Sequence, residues 1–208
     1  MIKEEAGRLV GFFFALYAGN TGTPHAFLKE GSEEGNSMKR LLSLAFATVA
    51  ALATVAVAQD KQTAQANFVG ADGKDDGRAT LTAAAAGGVL IELEVSGLPA
   101  NKWVAFHVHE TGKCDAASHH ESAGKHFNPT KAEHGLLAAK GPHAGDMPNQ
   151  YVGQDGVLRA QVFDGMVTLD GKENGIRGRA LMIHENSDDY RSQPAGDAGA
   201  RLACAVIK

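Results

Sequence analysis

Trp103-Val104-Ala105-Phe106-His107-Val108-His109-Glu110 is the stretch that decides how this chain folds. Successive side chains of a β-strand point to opposite faces, so His107 and His109 share one face while Phe106 and Val108 share the other. Two imidazoles side by side on a stiff strand suit a transition metal that prefers nitrogen ligands. A plain pair of histidines on a half-exposed strand is the competing reading, and the surrounding chain has to choose between them.

Towards the N-terminus the sequence breaks into short strands and glycine turns. Residues 64–69 and 78–83 form two runs separated by Gly70-Ala71-Asp72-Gly73. Gly87-Gly88 turns the chain into an alternating run over 89–95, which Ser96-Gly97-Leu98-Pro99 ends. Towards the C-terminus, residues 111–156 read as one long loop rich in Gly, Pro, His and Asp. So much irregular chain in a compact domain needs a function and something to order it, such as a metal or a disulfide. Strands resume at 156–163, 178–184 and 201–207. No helical periodicity competes with them, and the expected class is all-β, an antiparallel sandwich or barrel.

The first 58 residues have a different character. Residues 1–37 hold an apolar patch at 9–18 that is too short to span a bilayer. Met38-Lys39-Arg40, an apolar run over 41–57 and the exit Ala56-Val57-Ala58 make a secretory signal peptide, with cleavage expected after Ala58. A membrane anchor is the competing reading, which the short, alanine-rich run disfavours. Signal peptides begin at the start of a chain, so Met38 is the expected initiator. Glu33-Glu34-Gly35 implies a purine-rich codon run just upstream, and residues 1–37 are expected to be a mistranslated upstream leader. The exported domain is then residues 59–208.

That portion carries 15 basic and 19 acidic residues, a net of −4, with no basic patch to bind nucleic acid. It also holds both cysteines, Cys114 and Cys204, and an even count in an oxidising compartment argues for one disulfide.

Eight of the nine histidines lie between His107 and His184. His126, His134, His143 and Asp146 follow at intervals of eight, nine and three residues. Three imidazoles and a carboxylate make a closed four-coordinate set for zinc. His107, His109 and His184, with one further nitrogen from the loop, offer the four-nitrogen tetragonal environment that Cu(II) favours.

Several motifs occur together and in order: Phe106-His107-Val108-His109-Glu110, Ser122-Ala123-Gly124-Lys125-His126-Phe127-Asn128-Pro129, His134-Gly135, His143-Ala144-Gly145-Asp146, Gly178-Arg179-Ala180-Leu181-Met182-Ile183-His184 and Gly199-Ala200-Arg201-Leu202-Ala203-Cys204. In these the chain resembles copper/zinc superoxide dismutase of the bacterial, exported type, from about Gln65 to Lys208. The resemblance implies a Greek-key antiparallel β-sandwich, a flattened eight-stranded barrel with long metal-binding loops. It implies dismutation of superoxide to oxygen and hydrogen peroxide by alternating Cu(II)/Cu(I) chemistry, with one copper and one zinc per subunit. Copper would be held by His107, His109, His126 and His184, and zinc by His126, His134, His143 and Asp146, so that His126 bridges both. Asp188 would hydrogen-bond His107 and His134 from behind, and Arg201 would guide the anion. Cys114 and Cys204 would pair, closing a loop of about 90 residues, against the alternative of two reduced thiols.

The implied setting is the periplasm, with no stable membrane association after cleavage and with a homodimer left open. Trp103, the only tryptophan, is expected in the core, with a subunit contact as the alternative. Ala105 and Ala205 stand where the family usually has glycine, and neither removes a ligand. Lys125 fits either a positive field near copper or solvent. His119 and His120 are expected in a solvated loop, with weak copper capture as the alternative. Two competing functions share the ligand pattern: a non-catalytic exported copper/zinc binding or delivery module, and a structural zinc domain.

Overall fold

Every second side chain of Val89–Val95 is buried, and that alternation runs through most strands of the protein. The computed structural model describes residues 62–171 and 173–208; the expected leader, signal peptide and cleavage point lie outside the described residues. In chain order the strands are β1 (Thr63–Gly70), β2 (Asp75–Ala83), β3 (Val89–Val95), β4 (Lys102–Val104), β5 (Phe106–His109), β6 (Gln150–Val152), β7 (Leu158–Asp164), β8 (Ala180–His184) and β9 (Arg201–Ile207). They form one antiparallel sheet in the order β4-β6-β7-β3-β2-β1-β9-β8-β5. β1 to β3 are a meander, whereas β3 pairs with the distant β7 and β1 with β9, as long crossing connections require.

The two edge strands, β4 and β5, are neighbours in sequence with only Ala105 between them. The sheet therefore curls round until its edges approach, a nearly closed barrel. At that corner the Ala105 N–H donates to the Asn186 carbonyl (2.8 Å) and the Ala105 carbonyl accepts from the His184 N–H (3.0 Å). The count is nine strands rather than the expected eight because the histidine strand breaks here and serves both edges. The side-chain methyl of Ala105 is fully buried, as is that of Ala205 in β9.

Phe68, Leu81, Ile91, Phe106, Leu158 and Ile207 are among the largest side chains that fill the barrel. Fully burying an aliphatic or aromatic side chain of this size contributes about 1.5–3 kcal/mol. β5 and β8 are buried on both faces, unlike β1 or β3. Their inward residues Phe106, Val108, Leu181 and Ile183 belong to the core, and their outward residues His107, His109, Met182 and His184 lie beneath the loops. Apolar-polar alternation has become alternation between core and site.

Two expectations need correction. Residues 150–152 are not loop: Trp103 pairs with Tyr151 across β4 and β6, and their rings meet edge to face at 5.3 Å. Trp103 is not core but 56% exposed, because the alternation that buries Val104 points its neighbour outward. Among the described residues no helix is long and apolar enough to cross a membrane.

Candidate metal centre

β5 would have an open outer edge, but loop segments are laid along it. Val108 donates to the Gly145 carbonyl (2.9 Å) and Phe127 donates to the Val108 carbonyl (2.8 Å). Bridges between His109 and His126 and between His107 and Asp146 complete the seam. Covering the edge therefore carries His126 and Asp146 up to the two strand histidines. Gly145 has to be glycine in this seam, since a Cβ there would run into the Val108 carbonyl and side chain.

His107, His109, His126 and His184 converge in one set, and His126, His134, His143 and Asp146 in another, with all donors of a set within 4.8 Å of one another. All seven are buried. Their second nitrogens explain why the first ones point inward. His109 Nδ1 donates to the Gly124 carbonyl (3.0 Å) and His184 Nδ1 lies 3.4 Å from the Gly199 carbonyl. That leaves two Nε2 lone pairs facing each other across 3.3 Å, which is repulsive unless a cation lies between them. His107 and His134 each donate Nε2–H to Asp188, to Oδ2 at 2.8 Å and Oδ1 at 3.0 Å, and their Nδ1 atoms are buried without a hydrogen-bond partner. His143 Nδ1 is equally bare, and it and His134 Nδ1 lie 3.3 and 3.1 Å from Asp146 oxygens without hydrogen-bond alignment. His126 turns Nδ1 to Asp146 Oδ1 (2.8 Å), leaving Nε2 unpartnered for the other set. A protein does not bury this many orphaned lone pairs without something to receive them. The donor chemistry, four nitrogens in one set and three nitrogens with an oxygen in the other, fits copper and zinc respectively.

Electrostatics point the same way. Burial, reinforced by neighbouring imidazoles, holds His109 and His184 well below the usual histidine range, and burial with His107 brings His126 down to about 4. These rings are neutral and ready to bind a cation. Burial works against ionised Asp146 and Asp188, yet the His126 hydrogen bond with the close His134 and His143 rings for the former, and hydrogen bonds from His107 and His134 for the latter, hold both far below the carboxylate range. Burial likewise lowers His134, but the nearby Asp146 and the hydrogen-bonded Asp188 carboxylates prevail and raise it to about 9.

A family profile described as copper/zinc superoxide dismutase (SODC) matches residues 75–207. The chain belongs to the copper/zinc superoxide dismutase family. It is 48% identical over 166 residues to Superoxide dismutase (Cu-Zn) 1 of Aquifex aeolicus, covering 78% of this chain and 96% of that one. Against the Caulobacter vibrioides superoxide dismutase (Cu-Zn), identity is 40% over 143 residues, 66% of this chain and 80% of the relative. Among solved structures, a double mutant of a SOD-like protein from Bacillus subtilis superposes with a TM-score of 0.65 at 35% identity, over 68% of this chain and 94% of that one. Cu/Zn superoxide dismutase from Brucella abortus gives 0.59 at 26% identity, over 70% and 99%. Superoxide dismutase activity, superoxide as substrate, and copper and zinc as cofactors follow from this membership.

At the mouth of the dismutase's site His109, His126 and His184 line a pocket together with Glu121, Lys125 and Arg201. Arg201 donates Nη1 to the His120 carbonyl and Nη2 to the Gly124 carbonyl, each at 2.8 Å, with Glu121 Oε2 3.4 Å from Nη2. Lys125 is exposed at this mouth, and His119 is exposed as expected. His120 is a correction: its side chain is fully buried. Cys114 and Cys204 are bonded, with Cα atoms 5.5 Å apart, and pack on Met182 and Ala180 outside the barrel.

The dismutase also relies on residues that sequence spacing does not single out. Asn149 clamps the main chain of Asp188, donating Nδ2 to its carbonyl and accepting its N–H, both at 2.8 Å. Gln193 brackets His134, accepting its N–H and donating to its carbonyl, both at 2.9 Å. These partners are 39 and 59 residues apart in sequence, and an isolated amide carries no spacing signal. Gly196, at φ +67°, leaves room where any Cβ would collide with Asp188 and with His134 Nε2 at 2.6 Å.

Proposed function

We propose that His107, His109, His126 and His184 hold copper, that His126, His134, His143 and Asp146 hold zinc, and that His126 is the imidazolate shared between them. The observation that carries this is the His126 ring, which gives one nitrogen to each donor set. A ring with a cation at each nitrogen can lose its last proton near neutral pH. Copper, when bound, supplies alternating one-electron oxidation and reduction of superoxide. The chain does the rest. Arg201, fixed by two carbonyls, presents a guanidinium to the incoming anion. His126 Nε2 is the atom that takes up and returns a proton to the departing peroxide, while Nδ1 stays anchored beside Asp146. Asp188 fixes the tautomers of His107 and His134.

Replacing His126 with glutamine is expected to lower dismutation far more than it lowers total bound metal. Equal losses would remove the bridging role. The open pocket with Arg201 at its mouth favours catalysis over a closed zinc domain or a copper carrier.

We also propose export to the periplasm through the signal peptide at 38–58, with residues 1–37 an upstream leader. The Cys114–Cys204 bond supports an oxidising compartment, and the Aquifex relative is matched over 96% of its length by 78% of this chain. N-terminal sequencing of secreted protein should begin at Gln59, and recovery of peptides from the first 37 residues would rule out the leader. The outward Trp103–Tyr151 pair is the proposed contact of a homodimer. Sedimentation of Trp103→Ser against the parent checks it, and an unchanged mass excludes it.

A further inference from the structure

His120 is the feature that the site as described does not use. Its side chain is fully buried, and neither ring nitrogen makes a well-aligned hydrogen bond, although the Gly70 main chain lies near enough to act on the ring. Between Asp115 and Ala123, only His120 and Ala123 are buried, so this ring is the one sizeable side chain that the loop sends into the protein. His119 and His120 are both left-handed, at φ 50° and 60°, a conformation disfavoured for residues with a Cβ. With that backbone the His120 N–H donates to the Asp115 carbonyl (2.8 Å), and its own carbonyl accepts from Ala123 N (3.0 Å) and Arg201 Nη1 (2.8 Å).

We infer that His120 is a positioning residue for Arg201: its ring is a buried peg that fixes the loop so that the His120 and Gly124 carbonyls hold the guanidinium aimed into the pocket. The inference rests on the proposed role of Arg201 as the group that receives the anion. It explains why an imidazole is buried with no well-aligned hydrogen bond, because the ring acts chiefly by its shape. Burial lowers its tendency to take up a proton, the nearby Gly70 main chain opposes this, and the neighbouring Arg201 adds to the lowering. Gly124 links this arrangement to the metal ligands, since the carbonyl that accepts from Arg201 also accepts from His109 Nδ1.

The test is azide binding to the copper- and zinc-loaded protein, followed by its charge-transfer absorption, with the copper paramagnetic spectrum recorded on each sample. Arg201→Ala should weaken azide about tenfold, the loss of one charge-assisted hydrogen-bonding cation. His120→Gly keeps the left-handed backbone but removes the peg, and should lose most of the same factor with the copper hyperfine pattern unchanged. His120→Phe, close in shape and without ring nitrogens, should restore parental affinity. If His120→Gly binds azide as the parent does while Arg201→Ala does not, the peg is wrong and the role of Arg201 stands. If Arg201→Ala also leaves azide unchanged, both fall. An altered hyperfine pattern in His120→Gly would place the damage at copper and overturn the inference. Should the glycine variant not fold, His120→Phe decides alone, and a tenfold loss there refutes the shape argument.

Discussion

Single carboxylates carry much of this molecule. Asp188 touches no donor atom directed at either set, yet it receives a ring N–H from His107 and from His134. Asp188→Asn keeps the shape but turns one of those acceptors into a donor, so one of the two rings loses the acceptor that fixes its tautomer. Zinc affinity is expected to fall by about 10- to 100-fold, measurable by competition with a chromophoric chelator. Asp164 acts in the opposite direction. It is buried at the end of β7 with Oδ1 accepting from Met166 N (2.9 Å) and Oδ2 unpartnered, and burial pushes it up to about 6. A carboxyl that is raised on folding contributes its stability below the unfolded value of about 4 and loses it as pH rises through about 6. Asp164→Asn should therefore stabilise the metal-free protein by about 2–3 kcal/mol at pH 8 and by little at pH 4, as urea unfolding at the two pH values will show.

At the scale of elements, the loop after β5 is ordered at two places. The Cys114–Cys204 bond ties its start to β9, and the hydrogen-bonded seam along β5 ties its middle. The disulfide closes a 90-residue loop, worth up to about 4–5 kcal/mol in the chain-entropy account. Replacing both cysteines with serine should lower stability by about that much or less, seen as an earlier denaturant midpoint. The strands were legible because their period is local: 89–95 and 201–207 read from the sequence match β3 and β9 residue for residue. β6 was not, since three residues inside a polar loop become a strand only through pairing with Lys102–Val104. The ligand pattern was legible through histidine spacing and resemblance. The burial of His120 was not, because nothing local distinguishes it from His119 beside it.

For the molecule as a whole, a net charge of −4 opposes an anionic substrate. Guidance therefore has to come from the field of charges placed in the pocket, with Lys125 and Arg201 among Glu110, Glu121 and Asp197, and so from the placement of Arg201 and not from a net positive lining. At about 0.1 M salt such fields reach only about 10 Å, so they act at the mouth and not across the surface. Arg201→Ala should lower kcat/KM at low ionic strength and change how the rate responds to added salt. A rate and salt response equal to the parent's would exclude guidance. The barrel supplies the stiffness and the loops supply the charge. One carboxylate spans the two donor sets, with its two oxygens on rings of different sets. Loading is therefore a transaction in which each side gains what the other gives: if the first ion to arrive improves the welcome for the second by some factor, thermodynamic reciprocity requires the second to tighten the first by the same factor, whichever comes first.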